Sequence, residues 1–192
     1  MKLFLNERQI SHLLVLASPI PRDHALFHVA LSAGLRVSDL TRIMRQDVVV
    51  DGDIAPSLRL RMQKTKKYVE RPLRPDCRAA LRRYLDGRRD GNPYLFAPES
   101  PNTLKSNGPM NRSSIHRIYK RYLGQLFTRA ELRGNSCHVT RRSVAKLIAL
   151  KTGRVEPATA FLGHKSVAST MAYIDLDSFG QKADETVGGL TW

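Results

Sequence analysis

Between residues 48 and 74 the apolar period of this chain changes from that of a helix to strict alternation, and then changes back. A stretch such as "SLRLRMQ" can bury one face of a strand but no helical stripe, so it admits a sheet inside an otherwise helical protein. "VVVDGDI", "SLRLRMQ" and "YVERPLR" predict three short strands, with turns at Asp51-Gly52 and at Lys64 to Lys67. Before them, "LNERQISHLLVLAS" predicts a helix capped by Asn6 with Gln9 three residues on, and Ile10, Leu13, Leu14 and Leu16 as its apolar set. After "SPIPRD" come two helical patterns joined at Ser32-Ala33-Gly34. Gly34 is a natural helix-ending residue, which places Arg36 in the first turn of the next helix. Beyond the strands, "PDCRAALRRYLDGRR", "NRSSIHRIYKRYLGQLFTRA", "TRRSVAKLIALKTG", "EPATAFLG" and "SVASTMAYI" are helical again, with a Pro/Asn/Ser/Gly-rich loop at 97 to 112. With no internal repeat or linker, the expectation is one domain over residues 1–192, mainly α with a small antiparallel three-stranded sheet.

Charge narrows the function. The chain has 32 Lys+Arg against 17 Asp+Glu, a net +15, which calls for a polyanionic partner. Nucleic acid fits best, because the basic residues are spread over many segments and none forms an amphipathic membrane anchor. On charge alone, a structural RNA-binding protein fits equally well. No apolar run approaches a membrane span, and "MKLFLNERQ" turns polar too soon for a signal peptide. Two cysteines, Cys77 and Cys137, make neither a disulfide framework nor a four-ligand zinc site. The expectation is a cytoplasmic, nucleoid-associated protein, neither bound to membrane nor dependent on a metal or other cofactor.

In "HVTRR", His138 and Arg141 share a helical face. Six histidines and 22 arginines in 192 residues give roughly 0.7 such pairs by chance, so the pair alone carries no weight. The conjunction of segments is what carries it. "SAGLRVSDL" resembles the first arginine box of the tyrosine recombinases (phage-integrase family), commonly T-G-L-R-x-S-E-L. "CHVTRRSVAKLIALKTGRVEPATAFLGHKSVASTMAYI" resembles their second, H-x-x-R, then L-G-H, then tyrosine. His164 follows Arg141 by 23 residues and Tyr173 follows His164 by nine, both typical of that family. "RMQKTKKYVERPL" resembles the family's lysine-bearing β-hairpin with its closing Pro-Leu, here Pro72-Leu73. The resemblance spans about residues 5 to 175.

The resemblance implies the tyrosine recombinase catalytic-domain fold and a site-specific DNA recombinase. Arg36 and Arg141 would grip the scissile phosphate, with His138 and His164 as hydrogen-bonding partners. Lys64 would be the acid, with Lys66 and Lys67 as rivals, and Tyr173 the nucleophile that forms a 3′-phosphotyrosyl bond. Asp39 would orient Arg36; the family more often has Glu there. The chemistry suits these residue types, because guanidiniums hold two phosphate oxygens in a fixed fork and gain strength as charge builds in the transition state. Exchange of one phosphodiester for another conserves bond energy, so neither ATP nor a divalent metal is required. The implied partners are double-stranded DNA, further copies of the chain as a dimer to tetramer on DNA, and accessory DNA-bending proteins. Contacts to DNA are expected from Lys66, Lys67, Arg112, Arg117, Lys120, Arg121, Arg142 and Lys165.

Several points depart from the pattern. Most of the family carries a separate N-terminal helical domain, whereas here the match begins by residue 5. The resemblance is therefore to a fragment or to short members such as the invertases of fimbrial phase switches, and the compact start favours a naturally short protein. Thr140 and Arg142 are not the usual neighbours of the second arginine, and residues 176–192 form a tail of the kind that packs on a neighbouring subunit. A helix over 167–174 would put Val167, Met171 and Ile174 on one stripe with Tyr173 about 120° away, which argues against a core role for the tyrosine. His12, His24, His28 and His116 match no box; His24 and His28 stand at i,i+4 without a third metal ligand. Rival functions are a non-catalytic DNA-binding regulator that retains the fold and a type IB topoisomerase-like relaxation of DNA.

Overall fold

The computed structural model describes residues 2–63, 66, 68–98 and 107–174. Helix α1 (Glu7–Ala17) begins with the expected reciprocal cap: Gln9 N donates to Asn6 Oδ1 at 2.8 Å and Asn6 N to Gln9 Oε1 at 3.0 Å. Helix α2 (Pro21–Ala33) starts on a proline and ends where Gly34 turns left-handed, φ 57°. The glycine is required twice over, because a Cβ there would overlap the Phe161 ring. Helix α3 (Val37–Leu40) is a single turn, and Arg36 is its cap residue rather than a member of its first turn.

The expected three-stranded sheet is instead two separate two-stranded hairpins. Asp51 and Gly52 both have positive φ, 52° and 82°, so "VVVDGDI" folds back on itself as β1 (Val49–Val50) and β2 (Asp53–Ile54). Pro56 then interrupts the run and has no N–H to lend to a further ladder. The next strand, β3 (Ser57–Arg61), pairs only with β4 (Tyr68–Pro72), in register from Ser57 opposite Pro72 to Arg61 opposite Tyr68. Alternation works as expected in β3, where Leu58 and Leu60 are buried and Arg59 and Arg61 face outward.

Four further regular helices follow: α4 (Pro75–Asp86), α5 (Arg112–Leu123), α6 (His138–Thr152) and α7 (Glu156–Leu162), with α8 (Val167–Ile174) closing the described chain. The main core joins α1 to α5, the hairpins and the start of α6 around Phe27, Phe96 and Tyr119. A smaller cluster of Ala145, Ala149, Ala158, Leu162 and Ile174, flanked by Ile148, Phe161 and Tyr173, holds α6, α7 and α8 together. Asp23, fully buried on α2, ties that helix to α5 by accepting from Arg121 and, at 3.1 Å, from the Tyr122 hydroxyl. No helix among the described residues is long and apolar enough to cross a membrane.

Candidate active site

The two arginine boxes meet where α2 ends and α6 begins. Arg141 is 2% exposed; its Nη1 donates to the Gly34 carbonyl and its Nη2 to the Leu162 carbonyl at 2.6 Å. It therefore holds together the end of α2 and the end of α7. Burial, then the neighbouring charge of Arg36, pushes its pKa down to about 10. Arg36 Nη1 is buried without a hydrogen-bond partner among the described residues. A buried guanidinium destabilised by a neighbouring cation is stabilised by an anion.

His138 opens α6. Partial burial of its ring, then Arg141, Arg142 and Arg36, lower its pKa, which favours the neutral imidazole. His164 lies in the turn between α7 and α8, where Nδ1 pairs with the buried Thr170 hydroxyl at 3.0 Å. Its ring meets that of Tyr173 edge-on, with centroids 5.4 Å apart and planes at 81°. The Tyr173 hydroxyl is buried with no hydrogen bond among the described residues. Burial raises its pKa, against the opposing pull of Arg141, Arg142 and Arg36.

The face of α8 differs from the expectation. Val167 and Met171 are 37% and 46% exposed, while Thr170 and Ile174 are fully buried and Tyr173 lies beside them, half-buried. The hydroxyl–imidazole bond from Thr170 to His164 decides which face turns inward, and an apolar stripe does not reveal that bond. Tyr173 thus packs its ring against the smaller core cluster while its hydroxyl reaches the cations.

Asp39, 1% exposed, accepts the main-chain N–H of Gln63 through Oδ1 at 2.9 Å. It joins α3 to the approach of the β3–β4 turn; Oδ2 has no hydrogen-bond partner among the described residues. Lys64 and Lys67 lie outside the described residues, as does the 176–192 tail. Lys66 is exposed at φ 58°, with its carbonyl held by Arg61 Nε at 3.0 Å.

Arg112, Arg117 and Lys120 are exposed on α5, and Lys165 is exposed beside His164. Arg121 is half-exposed and committed to the ion pair with Asp23. Arg142, expected on the DNA face, is buried instead at 9% exposure, bonded to the Leu3 carbonyl and to Asn135. Its guanidinium lies 5.6 Å from the Tyr173 ring centroid.

Arg71 was not expected. On β4, its Nη2 donates to the Phe161 carbonyl at 2.6 Å, its guanidinium lies over the Phe161 ring at 5.3 Å, and its charge adds to those lowering the pKa of Arg141. The signal in the sequence is that Arg71 shares the inward face of β4 with Val69. His24 and His28 pair with each other, Nε2 to Nε2 at 3.1 Å, away from these residues. No metal-binding group of three or more His, Cys, Asp or Glu occurs among the described residues.

The family model "Phage integrase family" matches residues 4–178. The tyrosine recombinase XerC of Methylobacterium sp. (strain 4-46) is 27% identical over 160 residues, which cover 83% of this chain and 47% of that protein. The tyrosine recombinase XerA of Pyrococcus horikoshii is 26% identical over 170 residues, 88% of this chain and 55% of its own. In structure, XerA recombinase superposes with a TM-score of 0.76 at 23% identity, covering 100% of this chain and 67% of that one. The XerH site-specific recombinase bound to a palindromic difH substrate, a post-cleavage complex, gives 0.72 at 17% identity, covering 97% and 53%. The chain spans about half the length of the curated relatives it matches. With nearly its whole length matched by the family model, the chain belongs to the phage integrase family.

Proposed function

We propose that this chain is the catalytic domain of a site-specific DNA recombinase that cuts with Tyr173. The observation that supports the reading is the convergence of Arg36, Arg141 and Arg142 on the buried Tyr173 hydroxyl, with His164 against its ring and His138 beside the same arginines. Arg36 and Arg141 hold the non-bridging oxygens of one phosphodiester and gain strength as the pentavalent state gathers charge. The phenol oxygen of Tyr173 attacks phosphorus, its proton passing to an imidazole of the pocket. The bond to the 5′-oxygen breaks, and a lysine of the β3–β4 turn, Lys64 ahead of Lys66 and Lys67, protonates the leaving oxygen. Asp39 orients the arginine helix and that turn relative to each other through the Gln63 N–H. A 5′-hydroxyl from a partner strand then reverses the steps and releases Tyr173, so the cycle uses neither ATP nor a divalent metal.

Strand exchange requires paired sites, hence two to four copies of the chain on DNA, together with accessory bending proteins where the site demands them. Several of the structural matches are DNA complexes, a post-cleavage XerH complex and a lambda integrase dimer on a core site among them, which supports DNA as the partner. Exposed Arg112, Arg117, Lys120 and Lys165 serve phosphate contacts.

The test uses nicked suicide duplexes carrying sequences that the chain selects from a random pool. Wild type is expected to form a denaturant-resistant adduct and to exchange strands between duplexes, and Tyr173→Phe to bind without reacting. Tight binding by wild type without an adduct is the outcome for a regulator. Adducts with relaxation of supercoils but no exchange are the outcome for a topoisomerase.

A further inference from the structure

Arg142 stands next to a phosphate-gripping arginine in sequence but has different partners. Its Nη1 donates to the Leu3 carbonyl at 2.8 Å and to Asn135 Oδ1 at 3.1 Å, and the same Asn135 oxygen accepts Leu3 N at 2.9 Å. Two residues on, Leu5 N donates to Ser143 Oγ at 2.7 Å. Lys146 Nζ lies 3.8 Å from the centroid of the Phe4 ring, and Lys2 Nζ donates to the Ala172 carbonyl, one residue before Tyr173. Residues 2–5 thus lie as a strap across α6 and reach α8.

We propose that Arg142 is a positioning residue for the nucleophile: anchored by the 2–5 strap and Asn135, its guanidinium fixes the Tyr173 ring together with His164. The proposal rests on Tyr173 being the nucleophile. A cation against an aromatic ring attracts its electron-rich face, and does so more strongly as the phenol takes on negative charge. Fixing the ring also removes rotational freedom that attack on phosphorus would otherwise cost. The other charged or titratable groups that face the phenol are Arg36 at the start of α3, Arg141 on α6, His164 before α8 and Tyr119 on α5, with His138 beside the arginines. Arg71 and Asp39 act one step back, through Arg141. Arg142, like Arg141, is held by neutral acceptors of the protein, whereas Arg36 Nη1 has no hydrogen-bond partner among the described residues; Arg142 therefore needs no phosphate to hold its place.

The test is an NMR titration of the full chain labelled with 13C at tyrosine Cζ, with Tyr173→Phe assigning the resonance. Arg142→Leu is expected to raise the Tyr173 midpoint by on the order of half a pH unit, and Arg142→Lys to restore most of the difference. Asn135→Ala, which loosens the anchor but keeps the charge, is expected to give a smaller shift in the same direction. A folded Arg142→Leu protein whose Tyr173 resonance and midpoint match wild type would overturn the proposal. If that variant does not fold, the same criterion applies to Asn135→Ala. Because no DNA is cut in this measurement, failure to trap an adduct counts against the nucleophile and leaves the positioning result to stand or fall separately.

Discussion

Arg141 donates to the carbonyl of Gly34, two residues before Arg36, so the second arginine box is hydrogen-bonded to the first. The same guanidinium reaches the Leu162 carbonyl at the end of α7, and Phe161 of that helix fills the space beside Gly34. The positions of the two arginine boxes are therefore set by each other.

Gly34→Ala tests this junction. Alanine at φ 57° costs about 1–2 kcal/mol, and overlap of its Cβ with Phe161 adds about 1–3 more. Gly153→Ala, at φ 66° with nothing within 4 Å, meets only the first cost. Urea unfolding is expected to rank Gly34→Ala well below Gly153→Ala in stability, with only the former losing activity beyond what its stability explains. Equal losses would separate the glycine from the site.

Arg36 and Arg141 are expected to respond differently to removal. Arg36 Nη1 is buried without a partner among the described residues, so Arg36→Met relieves a desolvated charge and leaves stability unchanged or raised by about 1 kcal/mol, while adduct formation falls at least ~100-fold. Arg141→Met frees two buried carbonyls and is expected to lose stability, by about 2 kcal/mol, as well as activity. Parallel unfolding and single-turnover cleavage assays distinguish the two.

The caps at Asn6 with Gln9 and at Gly34 were legible in the sequence because they act within a few residues, whereas Pro21, read as part of a break, instead starts α2. The two hairpins were half-legible. The Asp51-Gly52 turn was in view, but its power to split one expected strand into two depends on where the chain goes after Pro56. The tyrosine's face was misread, because the bond that sets it joins Thr170 to His164 across a turn. Arg71 and Arg142 depend wholly on tertiary contacts, one with Phe161 and the other with Leu3 and Asn135. The resemblance nominated the reacting groups, whereas the residues that pack around them emerge only from the structure.

Stability is expected to fall with acid through His28. Burial, then the adjacent His24, pushes its pKa to about 4, whereas the unfolded chain titrates near 6.5. Above pH 6.5 both states are neutral and the stability is fully present. As pH falls from 6.5 towards 4 the unfolded state takes up the proton first, and stability drops by up to about 3 kcal/mol. Unfolding midpoints between pH 7.5 and 4.5 are expected to show this slope in wild type and a flatter one in His28→Gln.

Salt dependence separates α5's contacts from its scaffold. Lys120→Ala is expected to reduce the slope of log affinity against log salt by about 0.9 with unchanged stability. Arg121→Ala is expected to cost roughly 1–2 kcal/mol of stability, because it removes a partner from the buried Asp23, with a smaller effect on the slope.

The most direct measurement of the central claim is the chemical identity of the covalent bond. Adduct trapped on a nicked duplex is digested with trypsin and nuclease and sequenced by mass spectrometry. The expected product is the peptide containing Tyr173 joined through its phenol oxygen to a 3′-nucleoside phosphate. A nucleotide attached to any other residue, or a 5′-phosphate at Tyr173, would contradict the assignment.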